Sequence, residues 1–159
     1  MNIYDCFMYF DEDLLLDLRL NILDKYVKKF VISEATYLHS GKEKKLKFDI
    51  KNFSKFKDKI IYIVVDKHPP GIQNISSDDI FETKNKKILD NSLKRENNQR
   101  NQLLNGLQDA DENDLILSSD LDEIPDLSKF KYKNKITLFE QKVFYYKFNL
   151  MQPNFSWMG

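Results

Sequence analysis

Two aspartates in this sequence have the type and spacing that most directly suggest chemistry. Asp120 and Asp122 follow an apolar run at residues 114–119, and Glu123 and Asp126 add further acidic groups. In an extended chain, residues i and i+2 point to the same face, so both carboxylates are predicted to approach one cation. Oxygen ligands of this kind favour hard ions, so we expect Mg²⁺ or Mn²⁺, bound together with substrate phosphates.

The same acidic segment has two other interpretations. Aspartate is common in turns, so these acids could form a solvated connection between a strand and a loop. A phosphatase of the aspartyl-phosphate type also uses strand-Asp-x-Asp, with Asp120 as the nucleophile, although such a chain normally opens with that strand. An EF-hand loop is excluded because no glycine stands at the sixth position counted from Asp120. The apolar strand before the acids favours a functional site.

A glutamate and an arginine form a second candidate group. Glu96 and Arg100 are four positions apart, so they share one face of a predicted helix. The apolar residues Leu93, Leu103 and Leu107 are predicted on the same stripe, which would turn the pair inward. The pair is then either an ordinary intrahelical ion pair or a group whose arginine orients a carboxylate or reaches a phosphate.

A third polar group follows a predicted strand at residues 30–35. Glu34 closes that strand at the same expected edge of the sheet, where its carboxylate could accept hydrogen bonds from a base or a ribose. His39, Ser40 and Lys42 belong to the following loop and could lie against a substrate. His39 is equally typical of an ordinary surface loop.

The elements that must position these residues alternate between strands and helices. Strands are predicted at residues 3–10, 30–35, 59–66, 114–119, 136–140 and 143–148. Helices are predicted at residues 11–25, with Leu14, Leu15, Leu18 and Ile22 as the apolar face, and at residues 89–107. The continuous apolar run at 59–66 is typical of a strand buried on both faces. This order predicts an α/β fold with a mostly parallel sheet, in one domain over residues 1–159.

The composition excludes several classes of protein. Lys and Arg together number 25, as do Asp and Glu, and this zero net charge argues against a general nucleic-acid binder. The single cysteine, Cys6, cannot form an intrachain disulfide and is interpreted as a small core residue. No run is long enough to span a membrane and no signal peptide is recognisable, so we expect a cytoplasmic setting, with peripheral membrane contact left open.

The order of the motifs resembles glycosyltransferase family 17, which includes the β-1,4-mannosyl-glycoprotein 4-β-N-acetylglucosaminyltransferases. The motifs are IYDCFMYFDED, EATY followed by HSGK, KIIYIVVD, E-x-x-Q-R-N and SDLDEIP. This resemblance covers essentially the whole chain. It implies a GT-A-like fold, a nucleotide-sugar donor such as UDP-N-acetylglucosamine, a glycan acceptor and inversion at the anomeric carbon.

The resemblance also implies roles for individual residues. Asp120 and Asp122 match the Asp-x-Asp position that holds Mn²⁺ or Mg²⁺ on the donor diphosphate. The residues that match the helix motif and the second-strand loop, and that are expected to bind the donor, are Glu34, His39, Ser40, Lys42, Glu96, Arg100 and Asn101. Glu140 is the best remaining candidate for the general base that activates the acceptor hydroxyl.

Two departures from the family pattern shape the expectations. The long N-terminal anchor of the eukaryotic Golgi members has no counterpart here, so a glycoprotein acceptor in a secretory pathway is not expected. The sequence ends at Gly159, where similar proteins continue, so the chain is expected to be truncated at its C-terminus. A non-catalytic fragment that binds a nucleotide sugar is therefore a further alternative.

Overall fold

A four-stranded parallel sheet forms the centre of the fold. The structure, a computed structural model, describes residues 1–146 and 149–158. The strands are β1 (Ile3–Met8), β2 (Lys29–Ala35), β3 (Ile60–Val65) and β4 (Leu115–Ser118), and they lie in the order β3-β2-β1-β4. Each neighbouring pair in this sheet is parallel. The predicted α/β fold and its parallel sheet are therefore confirmed.

Helices and short 3₁₀ turns cover both faces of this sheet. α1 (Asp13–Leu23) follows β1, and α2 (Phe81–Gln102) follows β3 and continues into a 3₁₀ turn at Leu103–Gly106. The larger core lies on the α1 side and includes Phe7, Leu16, Leu20, Leu23, Phe30 and Ile32. The smaller core, on the other face, contains Tyr4, Cys6, Val31 and Leu103. Because neighbouring residues of a strand point to opposite faces, β1 and β2 contribute to both cores.

α1 buries a different stripe from the predicted one. Leu14 is 83% exposed, and Leu18 and Ile22 are 40% and 42% exposed. The buried residues are Leu16, Arg19, Leu20 and Leu23. The predicted apolar face is therefore wrong at these three positions, whereas Leu15 packs against the larger core. Two sets of apolar residues in α1 fit helical spacing, and the structure buries the set that contains Leu16, Leu20 and Leu23.

Two further predictions differ from the structure: the burial of the third strand and the start of α2. The strand predicted at 59–66 is expected to be buried on both faces, but β3 is an edge strand of the sheet and Val64 is 42% exposed. α2 begins at Phe81, eight residues before the predicted start at 89, in a polar segment that carries little apolar periodicity. Leu89 and Leu93 of this helix are 60% and 46% exposed.

The C-terminal segment forms an antiparallel hairpin of β5 (Glu140–Phe144) and β6 (Met151–Met158). The strand predicted at 136–140 is wrong, because residues 136–139 lie outside any strand. The strand predicted at 143–148 overlaps the end of β5, and its last two residues lie outside the described residues. Across the part of the chain that the structure describes, no helix is both long and apolar enough to cross a membrane.

Candidate functional site

A cleft of about 540 Å³ opens where β1 and β4 end. From β1 the chain passes outward through β2 and β3 and then returns to place β4 on the other side of β1. Ligands of open α/β sheets bind at the carboxyl ends of the strands where the strand order reverses in this way. Tyr9 and Phe10 line the cleft just beyond β1, and Asp120 and Asp122 line it just beyond β4.

The two aspartates lie on a turn. β4 ends at Ser118, and the backbone N–H of Glu123 donates to the carbonyl of Asp120 at 3.0 Å. Leu121, between the two acids, is buried, whereas both acidic residues are exposed and line the same cleft. The predicted extended i, i+2 geometry is therefore wrong. The turn nevertheless brings the two residues to one cavity.

The exposed carboxylates of the turn suit a divalent metal ion that is coordinated jointly by the protein and a bound ligand. Among the described residues, no group of three or more His, Cys, Asp or Glu residues is arranged to hold a metal by itself. Mg²⁺ commonly binds proteins through one or two carboxylates and completes its shell with phosphate oxygens and water. The exposed carboxylates of Asp120 and Asp122 fit that type of site, and metal binding stays a prediction.

Arg100 connects α2 to this turn. Its Nη2 lies 3.1 Å from Oδ1 of Asp120 and 3.4 Å from Oε1 of Glu96. The arginine therefore contacts a carboxylate of the turn as well as its helical neighbour, which combines the two interpretations of the Glu96 pair. The predicted inward orientation is wrong, because the side chains of Glu96 and Arg100 are each 34% exposed. The buried residues of α2 are Asn91, Arg95 and Gln99.

Glu34 is fully buried and already has several partners. Its carboxylate accepts hydrogen bonds from the ammonium of Lys44, from the Tyr62 hydroxyl at 2.8 Å and from the backbone N–H groups of Lys47 and Phe48 at 2.8 and 3.1 Å. The burial of Tyr62 and its hydrogen bond to Glu34 raise the pKa of the Tyr62 phenol. Glu34 thus holds the segment after β2 in place, and a contact of Glu34 with the donor stays a prediction.

The loop after β2 is fixed against α2. Nη1 of Arg95 donates to the carbonyl of His39 at 3.0 Å, and Gly41 lies directly beneath the same guanidinium with φ +92°. His39 lines the cleft, whereas Ser40 and Lys42 are exposed and are not among the residues that line it. The structure therefore brings one of the three predicted loop residues to the aspartates.

Two other predicted site residues lie apart from the cleft lining. Asn101 is exposed near the end of α2. Glu140 is exposed at the start of β5, where it pairs with Met158 of β6. Neither residue is among those that line the cleft. Their roles in donor binding and as the general base stay predictions.

The sequence interpretation missed several residues around the cleft. Gln99 lines the cleft, and its Nε2 donates to the carbonyl of Ser33 at 3.0 Å. Arg19 is completely buried, and its Nη1 donates to the carbonyl of Asp120 at 2.7 Å. The local signal for Arg19 was its position three residues after Leu16 and four before Leu23, on the buried stripe of α1.

Comparison with models of known protein families identifies the family of this chain. Residues 1–159 match the family model described as glycosyltransferase family 17. This chain belongs to glycosyltransferase family 17. No match was found among curated proteins or among solved structures. Membership of family 17 implies a nucleotide-sugar donor and a glycan acceptor, and it disfavours the phosphatase interpretation of Asp120.

Proposed function

We propose that this family 17 glycosyltransferase binds its nucleotide-sugar donor in the cleft between the ends of β1 and β4, through Mg²⁺ or Mn²⁺ held by Asp120 and Asp122. We further propose that the donor is UDP-N-acetylglucosamine and that transfer to a glycan hydroxyl inverts the anomeric carbon. One observation carries the proposal: two exposed acids on one turn line a single cavity at the strand ends where such folds bind ligands.

The charges around the cleft support a divalent ion. The acidic residues that line it are Glu12, Glu96, Asp120 and Asp122. Lys44 also lines it, but its ammonium is paired with the buried carboxylate of Glu34. A diphosphate entering this surface would meet excess negative charge. Asp120 and Asp122 would hold the ion, which would supply positive charge that stabilises the leaving diphosphate. Arg100, beside Asp120, is positioned to offset part of the remaining charge.

In this proposal the described residues form the donor side of the site. In this proposal the turn orients the diphosphate, and Tyr9, His39 and Gln99 enclose the rest of the donor. An inverting transfer also needs a base that accepts the proton of the attacking acceptor hydroxyl. Glu140 stays the predicted base, which would accept this proton in the transfer step; it lies on the hairpin, outside the cleft lining.

The proposal is tested by calorimetric titration of the protein with UDP, with and without Mn²⁺. We expect Mn²⁺ to strengthen UDP binding by the 159-residue chain, and Asp122→Asn to remove that gain, because the neutral amide cannot replace a charged ligand of a hard ion. Asp126→Asn is the matched control, because Asp126 lies outside the cleft lining and an asparagine can still accept from the N–H of Ser128. Unchanged Mn²⁺-dependent affinity in Asp122→Asn would contradict the proposal.

The donor assignment is tested separately by thermal unfolding with a panel of nucleotide sugars. We expect UDP-N-acetylglucosamine with Mn²⁺ to give the largest rise in the unfolding temperature, because at equal concentrations the ligand that binds the folded state most tightly stabilises it most. A larger rise with a sugar carried on another nucleotide would refute the donor assignment but leave the metal site intact.

A further inference from the structure

Arg19 is a charged residue placed in the larger core. It lies in the middle of α1 with no solvent exposure, between the apolar positions Leu16 and Leu20. Its guanidinium stacks on the ring of Phe7, with Cζ 4.6 Å from the ring centroid. A buried charge is costly unless its donors are all paired, so the partners of Arg19 show what the residue is for.

One side of the guanidinium binds Asp5 of β1. Nε donates to Oδ2 at 2.9 Å and Nη2 donates to Oδ1 at 2.7 Å, which forms a two-point ion pair between two completely buried side chains. This geometry fixes the plane of the guanidinium relative to the sheet. The carboxylate of Asp5 therefore aims the remaining N–H groups of Arg19.

The other side of the guanidinium binds the turn that carries the two cleft aspartates. Nη1 lies 2.7 Å from the carbonyl oxygen of Asp120, and 3.1 Å from those of both Leu121 and Glu123. Nη2 also donates to the hydroxyl of Ser119 at 2.8 Å, and that hydroxyl donates to the carbonyl of Glu123 at 3.2 Å. Three carbonyls of one turn thus converge on a single cation.

We propose that Arg19 is a positioning residue for the metal-binding turn. Asp5 orients its guanidinium, and Ser119 adds a further hydrogen bond between the guanidinium and the turn. The carbonyl groups of the turn point inward to Arg19, while the side chains of Asp120 and Asp122 reach the cleft. This role rests on the proposed function, since it assumes that the two aspartates hold the ion. Arg19 sets where the carboxylates stand and does not touch the ligand itself.

The role requires an arginine. A guanidinium presents five N–H donors in a flat fork, which can pair with a carboxylate on one side and with carbonyls on the other. The lysine ammonium has three donors around one atom, so it cannot span Asp5 and the turn together. Arg19→Lys keeps the charge but loses the geometry, and it is therefore the most informative variant.

The test measures the Mn²⁺ affinity of the 159-residue chain in the presence of saturating UDP. We expect Arg19→Lys to weaken Mn²⁺ binding by about 10- to 100-fold, the usual effect of removing a group that orients metal ligands. Leu20→Ala, at the next position of α1, is the matched control, because it removes a fully buried side chain without a hydrogen bond to the turn. It should lower the unfolding temperature and leave the Mn²⁺ affinity of the folded protein unchanged.

Ser119→Ala keeps the test decisive if Arg19→Lys does not fold. It removes one contact of Arg19 with the turn and leaves the Asp5 pair intact, so Mn²⁺ affinity should fall by roughly two- to tenfold, the effect of one net hydrogen bond. Wild-type Mn²⁺ affinity in a folded Arg19→Lys or in Ser119→Ala, or an equal loss in Leu20→Ala, would overturn the positioning role. Unchanged affinity in Asp122→Asn would instead overturn the proposed function and this role with it.

Discussion

Arg100 donates a hydrogen bond of 3.1 Å to the carboxylate of Asp120, and this contact joins the end of a 22-residue helix to the turn at the cleft. The side chains of Arg100 and Asp120 are 34% and 52% exposed. Ion pairs with this much solvent contact contribute little to folding stability. In the proposed site, the pair would therefore act mainly on the charge that an incoming diphosphate meets.

Arg100→Ala should accordingly weaken UDP binding while leaving the folding stability almost unchanged. We expect UDP affinity in the presence of Mn²⁺ to fall by about tenfold or more, the loss of one charged hydrogen bond, while the free energy of unfolding changes by less than about 1 kcal/mol. Calorimetry and urea unfolding measure the two quantities. Lys87→Ala is the control: Lys87 lies on the same helix, its partner Asp79 precedes that helix, and neither residue lines the cleft. Equal effects of both variants on UDP binding would argue against a role for Arg100.

Glu34→Gln should be among the most destabilising single changes in the chain. It leaves the ammonium of Lys44, whose side chain is 9% exposed, without its counter-charge. Breaking one partner of a buried ion pair typically costs about 3–5 kcal/mol. Urea unfolding of Glu34→Gln should show a loss of this size, whereas Lys59→Ala, whose pair with Asp24 is about one-third exposed, should lose far less. Similar losses for the two variants would show that burial of Glu34 is not what matters.

Gly41→Ala should disturb the loop that brings His39 to the cleft. The backbone of Gly41 has φ +92°, and a Cβ at this position would stand 2.6 Å from Nη2 of Arg95. Gly71→Ala is a matched control, because Gly71 has φ +75° but the nearest atom to its Cβ would be Lys94 Nζ at 3.6 Å. Both variants carry backbone strain of about 1–3 kcal/mol, so the excess loss of stability in Gly41→Ala measures the contact with Arg95. Equal unfolding midpoints would contradict this contact.

Cys6 should be inert in the folded protein. Burial, reinforced by the nearby charge of Asp5, raises the pKa of the Cys6 thiol to about 12. Folding therefore favours the protonated thiol, and this contribution to stability is complete below the unfolded-state pKa near 9 and is lost as the pH rises towards 12. Labelling with a disulfide reagent at pH 8 should be slow in buffer and fast in urea. Rapid labelling of the folded chain at pH 8 would contradict the burial of this residue.

The four strands of the parallel sheet were predictable because each is a short apolar run with its own local signal. The pair Asp120 and Asp122 was predictable for the same reason, since both acids directly follow such a run. The turn that carries them was not, because its shape depends on Arg19, which lies about a hundred positions earlier in the sequence. The sequence thus placed the two acids correctly after a strand of the sheet, but it did not predict the turn; their role as metal ligands stays a prediction.

The buried polar residues of both helices escaped prediction for a related reason. Hydrophobic periodicity identifies a buried face only when that face is apolar. Arg19 on α1 and Arg95 and Gln99 on α2 are buried because distant carbonyl or carboxylate groups accept their hydrogen bonds. Glu34 is a similar case, since its partner Lys44 lies ten positions away in an irregular segment. Such pairings cannot be read from spacing along one helix or strand.

The polar inner face of α2 constrains how this helix can move. Asn91 binds both the N–H and the carbonyl of Gln73, Arg95 binds the carbonyl of His39, and Gln99 binds the carbonyl of Ser33. At an apolar interface between a helix and a sheet, the helix can shift slightly along its axis and form new van der Waals contacts of similar energy. Here a shift of α2 along its axis would break all of these directional hydrogen bonds together. We therefore expect any opening of the cleft to come from movement of its loops, while α2 keeps its position against the sheet.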